Sequence, residues 1–404
     1  MTRRPLEGVR IVDFCWVGAG SYATKLLADQ GADVIKIESR ARLDGIRLSG
    51  PFPGGVQGVN KSGYFADRNT SKRSCTINMK TEEGQRIARD LVAGADVIAN
   101  SFTPGVMERF GLGWDDVQRL NPRIVYLAMS MQGDGGPERD YLGYGLTISA
   151  LVGLHGLTAI PGRLPVGTGT NYPDHIPNPC HAAFAVLAAL RHVRRTGEGQ
   201  YIDLAQTEAT ISVLGPAMLE FSVNGRDRDP IGNAHDRYAP HGVYPAAGED
   251  RWIAIAVTSD EQFAALADTL GLPESMSRGL DETTRRERRD HIDDVIAGAT
   301  ACFDSVELAT RLQKLGVPAA PVHDAAGVVD HDPQLAARDH WVRLPHAEMG
   351  ESLYNAPPFR FSRTASELEV AAPLLGEHTV EVCREVLGMD EAEIERLTAE
   401  GVLA

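Results

Sequence analysis

Five cysteines in 404 residues, none of them in a CxxC pair, leave neither a disulfide framework nor a cysteine-based zinc site to expect. Cys15, Cys75, Cys180, Cys302 and Cys383 are expected to pack as small apolar residues. His155, His175, His181, His235 and His241 show neither HExxH nor HxH spacing, so no metal is expected. A GxSxG nucleophile turn and a Walker A loop are also missing. No apolar run approaches the roughly 18 residues of a membrane helix. The start MTRRPLEGVRIVDF lacks the apolar core of a secretory leader, and the expectation is a cytoplasmic chain with no membrane partner. Basic residues are the minority, 40 against 55 acidic, and the net charge of −15 argues against nucleic acid as a partner.

What the chain does have is ordinary globular composition, 43% hydrophobic and 24% charged, with length for two or three cores. VRIVDF (9–14) reads as a buried strand, SYATKLLADQ as a helix ended by Gly31, and ADVIKIE as a second strand. TEEGQRIARDLVAGADVIAN repeats helix, glycine, strand at 81–100, and RIVYLAMS (123–130) adds another strand. The N-terminal third is thus an α/β sheet. Beyond the polar, turn-rich stretch that follows residue 222, WIAIAV, a helical SDEQFAALADTLG and GVPAAPVH predict a smaller α/β or α+β unit, and the tail predicts one or two amphipathic helices.

Three features carry chemistry. Gly18, Gly20 and Ala23 satisfy GxGxxG/A at the mouth of a helix, and Glu38 ends the next strand where a ribose-binding acid would stand. Taken alone, this suggests a nicotinamide or flavin enzyme. Its physical content is a helix N-terminus that backbone lets a phosphate approach, or simply close strand-to-helix packing. Second, Arg40, Arg42, Arg47, Lys61, Arg68, Lys72 and Arg73 crowd 34 residues of an acidic chain, with Arg109 further on, and suit a polyanion or else a solvated loop. Third, Asp174 precedes the apolar run CHAAFAVLAAL. Asn178 followed by Pro179 is the better cap for that helix, which leaves Asp174 either solvated or functional.

These segments, in order, resemble a known family. PLEGVRIVDF, LLADQGADVIKIE, NTSKRSCTINMKTEEG, ADVIANSFTPGVMERFGLGWDDVQRLNPRIVYLAMS, HAAFAVLAALRHVRRTGEGQYIDLAQTEA and APLLGEHTVEVCREVLG are similar to the class III CoA transferases, the CaiB/BaiF family. The resemblance implies an α/β fold with a Rossmann-like large domain built from both chain ends (1–222 and 331–404), a smaller inserted α/β domain (223–330), and an interlocked dimer. It implies coenzyme A or acyl-CoA as the bound group, with no metal, nicotinamide or flavin. A carboxylic acid completes the partners, in a homodimer or a heterodimer.

By the same resemblance Asp174 is the nucleophile that forms an aspartyl anhydride and then an aspartyl-CoA thioester. PDHIPNP runs about one residue longer here than the family's step before the helix. Val17 and Ala19 should line the CoA site near its reactive end, and Arg40, Asn100, Phe102 and Arg109 should hold the nucleotide part, with Ser39 a one-position alternative to Arg40. Arg73 joins this set from the cation cluster. VGTGTNYP and GNAHDRYAPHG are candidate covers for the site. Tyr144, Tyr172, His175 and His241, with Tyr238, would wall an acyl pocket suited to a bulky, aromatic or dicarboxylic acid rather than formate or oxalate. Two relatives compete with this expectation. Racemases acting on 2-methylacyl-CoA need a base where Tyr144 stands, and a normal tyrosine is a poor base at neutral pH. A silent subunit of a heterodimer would not need Asp174.

Overall fold

A computed structural model describes residues 4–277 and 279–404 of the chain. They divide into two compact units, one comprising residues 4–155, 167–228 and 336–404, the other 156–166 and 229–335. The sequence reading placed the smaller unit at 223–330 as one continuous segment; here the short stretch 156–166 also belongs to it.

The larger unit is built on a six-stranded, all-parallel sheet. Its strands are β1 (Arg10–Phe14), β2 (Asp33–Glu38), β3 (Lys72–Thr76), β4 (Val97–Asn100), β5 (Val125–Ala128) and β6 (Gln200–Asp203). Their order is β3-β2-β1-β4-β5-β6. Strands buried on both faces read as continuous apolar runs, and successive side chains feed opposite cores. Val12, Phe14, Ile35 and Ile98 point into a core closed by the helix Glu82–Ala93 and by Val382, Ile394 and Leu397 from the end of the chain. Ile11, Val34, Val97 and Val125 point into the other, against Ala23 and Leu27 of the helix Ala19–Ala28 and Ala182, Val186 and Leu190 of the helix Pro177–Thr196. The return of the chain is stitched to the sheet by backbone: the Asn78 N–H donates to the Val402 carbonyl at 2.8 Å, and the Thr76 N–H to Thr379 Oγ1 at 3.0 Å.

The smaller unit holds an antiparallel sheet, β7 (His241–Pro245), β8 (Trp252–Ala256) and β9 (Ala319–Pro321), in that order. Ile253, Ile255, Phe263, Leu266, Ile292, Ile296, Leu308 and Leu312 form its core. In the larger unit a hairpin, β10 (Trp341–His346) and β11 (Gly350–Asn355), packs Leu344 and Tyr354 against Ile46 and Phe65. Among the described residues no helix is long and apolar enough to cross a membrane.

Several cations expected at the surface lie inside the larger unit. Lys72 reaches Asp13 at 3.0 Å, Lys36 reaches Asp44 at 3.0 Å, and Arg47 reaches Glu38 at 2.6 Å, all six side chains being essentially sealed from solvent. Burial alone would push the Asp13 carboxyl up, but the ammonium groups of Lys72 and Lys36 outweigh it and hold it below its ordinary value. Removing one member of such a pair strands a charge, at a cost of about 3–5 kcal/mol. Lys72→Met is therefore expected to lower the thermal midpoint sharply, and adding Asp13→Asn to it to recover more than half of the loss. A melt of the double variant no higher than that of Lys72→Met alone would contradict the pairing.

Candidate functional site

In a sheet of this order the chain leaves β1 and β4 in opposite directions, and the crevice at their carboxyl ends is the natural ligand site. A cavity of about 540 Å³ opens there, lined by the segments after β1, β2 and β4 and by Asp174.

The turn after β1 is held by three side chains. The Cys15 N–H donates to Asp13 Oδ1 at 2.9 Å, the Trp16 N–H to Ser101 Oγ at 3.0 Å, and the Val17 N–H to Asp44 Oδ1 at 3.0 Å. Val17 is thereby kept at φ 61°, a left-handed conformation that costs a β-branched residue about 1–2 kcal/mol. These N–H groups are committed, so the anion-binding donors are those of the helix that follows. Gly18 caps that helix without a side chain, and Ala19 and Gly20 of its first turn line the cavity.

The glycine pattern has two separate causes. A Cβ on Gly20 would lie 2.7 Å from the Cys15 Cβ, so Gly20 serves close packing of strand and helix. A Cβ on Gly18 would lie 3.1 Å from the Asp174 Cβ and 3.0 Å from the Tyr64 hydroxyl, so Gly18 leaves room for the carboxylate. Glu38 is not a free ribose acid: Arg47 grips both of its oxygens, at 2.7 and 2.6 Å, and Ser74 donates to it at 2.7 Å. The dinucleotide reading loses its acid for that reason.

Along the cavity wall stand Arg42, Lys80 and Arg109, three cations in an acidic chain. The Arg42 guanidinium sits 5.2 Å from the Trp16 ring centroid, and Phe102 meets the same ring edge-on at 5.5 Å. Of the residues expected to bind the cofactor, Val17, Ala19, Phe102 and Arg109 line this cavity. The others do not line it. Arg40 turns away, its Nη2 donating to the Leu375 carbonyl at 3.4 Å, and Ser39 and Arg42 face the cavity in its stead. Arg73 sits on the edge strand β3, held by Asp33 at 2.6 Å and Glu381 at 3.0 Å, and is not on the wall. Asn100 is buried behind the wall, where its Oδ1 accepts from the Phe102 N–H at 3.2 Å and shapes the loop.

Asp174 lies in a single helical turn, Tyr172–His175, and is 3% exposed. The long helix begins at Pro177, two residues earlier than the Asn178-Pro179 pair suggested, because Pro177 already presets the first helical φ. Asn178 is no cap; it is buried, donating to Gln206 at 3.2 Å and accepting from Thr210 at 3.2 Å. Asp174 Oδ2 accepts from the Gly145 N–H at 3.2 Å, at the start of the helix Gly145–Leu151. A Cβ on Gly145 would come within 2.9 Å of that oxygen. Burial pushes the carboxyl up to about 6, against the opposing pull of the Gly145 N–H and Arg68.

Among the expected pocket residues, Tyr144 lines the cavity beside Asp174 and is exposed. Tyr172 is half-buried and lines neither this cavity nor a second one of the same unit, whereas His175 lines the second. His241 belongs to the other unit, on β7, with Nδ1 at 2.7 Å from the Asn233 carbonyl oxygen. Sequence reasoning did not single out Lys80, Ser130 and Gln206, which line the cavity, Gly145, whose N–H donates to Asp174, or Tyr64, whose hydroxyl crowds Gly18. Only Lys80 carried a readable signal, a cation just after β3.

Comparison with known proteins identifies the family. The family described as CoA-transferase family III matches residues 6–379. The chain is 32% identical to the succinyl-CoA–L-malate CoA-transferase beta subunit of Chloroflexus aurantiacus, over 100% of this chain and 99% of that one. It is 33% identical to the succinate–glutarate CoA-transferase of Agrobacterium fabrum, over 95% and 96%. A crystal structure of a CaiB/BaiF family protein from Brucella suis, 30% identical, superposes with a TM-score of 0.86 over 95% of this chain and 100% of that one. The chain belongs to CoA-transferase family III and is a CoA transferase.

Proposed function

We propose that this enzyme moves CoA between dicarboxylic acids of four or five carbons, with Asp174 as the covalent nucleophile. The observation that carries the proposal is a buried carboxylate, Asp174, on the wall of a cavity that also carries Arg42, Lys80 and Arg109. The relatives support the substrate class, being named for succinyl-CoA with malate and for succinate with glutarate.

The ionised Asp174 attacks the acyl-CoA carbonyl and expels the CoA thiolate, giving a mixed anhydride. The thiolate returns to the aspartyl carbonyl and releases the free acid, leaving an aspartyl-CoA thioester. An acceptor carboxylate attacks that thioester and expels the thiolate, which then takes the acyl group and restores the carboxylate. Thioester energy is conserved throughout. Donors placed near the developing oxyanions are the Gly145 N–H and the first N–H groups of the helix Ala19–Ala28. Arg42, Lys80 and Arg109 suit the phosphates of CoA. Anhydride and thioester both hydrolyse readily, which fits a nucleophile shut away from bulk water.

A dimer belongs to this proposal. The helix Pro177–Thr196 leaves Phe184 73% exposed and Leu187 exposed, and the helix Gly215–Asn224 exposes Leu219, Phe221 and Val223, a surface a second chain would cover. The family resemblance makes that dimer interlocked.

Three measurements check the reading. With succinyl-CoA as donor, kcat/KM for malate or glutarate acceptors should exceed that for oxalate at least tenfold; equal rates with oxalate would overturn the substrate class. For the donor step kcat/KM should rise with pH through about 6 and level off, because only the ionised carboxylate attacks. The sign for stability is opposite. The folded-state value is raised, so the contribution is fully present below the unfolded value and lost as pH rises through about 6. Asp174→Asn should therefore raise the melting temperature at pH 8, and that gain should fade towards pH 4.

A further inference from the structure

A second cavity of the larger unit, about 810 Å³, is lined by residues that neighbour those of the first. Asp174 and Gly18 line the first; His175, the next residue, and Tyr64, whose hydroxyl would touch a Cβ on Gly18, line the second. The first cavity carries the cations that CoA phosphates require, and the second carries no Lys or Arg. It offers instead Ser149, His155, Asn171 and His175, hydrogen-bonding groups around an apolar wall that includes Leu146 and Leu353.

His175 has a fixed polarity. Its Nδ1 contacts Arg68 Nη2, and a guanidinium can only donate, so Nδ1 must accept and the ring proton must sit on Nε2. Arg68 is itself held rigidly, its guanidinium 4.2 Å from the Tyr22 ring centroid and 5.7 Å from that of Tyr64, with Asp67 at 2.6 Å. Asp67 also lines the cavity, and Arg68 neutralises it. Burial, with Arg68 beside it, pushes the imidazole down to about 4, so it stays a neutral donor at neutral pH. Among the described residues Nε2 has no hydrogen-bond partner. An N–H donor backed by a cation, one residue after the nucleophile and edging the CoA-free cavity, is matched by an anionic oxygen on the acid being transferred.

We propose that the second cavity receives the chain of the acid, and that His175, its proton fixed on Nε2 by Arg68, binds the carboxylate remote from the reacting one. The inference rests on the dicarboxylic reading above and names the residue that enforces it. His175 is a specificity residue and Arg68 a positioning residue acting through it.

The test is the ratio of kcat/KM for succinate to that for butyrate, acids of equal chain length, with the full-length enzyme and a common acyl-CoA donor. Wild type should favour succinate strongly. His175→Phe should lower that ratio about 10-fold or more, the usual worth of a hydrogen bond to a charged group, and His175→Gln, which keeps an N–H near the Nε2 position, should restore most of it. A ratio unchanged in His175→Phe, with both acids slowed in parallel, overturns the proposal while leaving the dicarboxylic reading intact. A wild type that shows no preference for succinate sinks that reading and this one together. Independently of turnover, ¹⁵N–¹H correlation spectra of histidine-labelled enzyme should show His175 as the Nε2–H tautomer and show that preference relaxed in Arg68→Leu. A His175 protonated on Nδ1 in wild type would overturn the inference whatever the kinetics.

Discussion

The ion pairs Lys72–Asp13 and Lys36–Asp44 lie wholly inside the larger unit, and the turn that carries Val17 and Gly18 hangs from them. Asp13 and Asp44 each spend one oxygen on a lysine and the other on a backbone N–H of that turn, at Cys15 and Val17. Lys36 closes the loop by donating to the Cys15 carbonyl at 2.6 Å. Buried ion pairs are poor sources of net stability, and their attested value is to specify one arrangement. Here the arrangement is a β-branched residue at positive φ next to a glycine that Asp174 packs against. Loosen either carboxylate and the floor beneath Asp174 moves.

Asp174 shows the opposite economy. Its partners are a single backbone N–H and the indirect field of Arg68, and two glycines let the chain close over it. A carboxylate so placed is destabilising when ionised, which is the state the proposed mechanism needs. The fold therefore carries a local cost at Asp174, where an under-solvated carboxylate is most reactive. The ion pairs nearby, fully compensated, are the rigid frame against which that cost is held.

Much of this was legible in the sequence because it depends on pattern. The apolar runs at 9–14, 33–38 and 123–130 announced parallel strands, and Asp174 stood out as a carboxylate just ahead of a buried helix. What misled was whatever depends on which groups meet. Arg47 and Lys72 looked like members of a surface cluster and are internal counter-ions of Glu38 and Asp13. Glu38 stood at a ribose-binding place and is already taken. Arg40 and Ser39 could be told apart only by the course of the chain after β2. Gly145, whose N–H donates to the Asp174 carboxylate, lies 29 positions away with nothing in its neighbourhood to mark it. Arg68 was visible as a charge, but its contact with His175 follows from packing around Tyr22 and Tyr64.

The central claim is that Asp174 becomes covalently attached to CoA during turnover. Intact-protein and peptide mass spectrometry after incubation with succinyl-CoA, quenched quickly and repeated with hydroxylamine, addresses it directly. The account predicts an added mass of CoA on the peptide containing Asp174, its discharge by hydroxylamine, and its absence from Asp174→Ala. CoA attached to another side chain, or an Asp174→Ala variant that still transfers CoA at the wild-type rate, would contradict it.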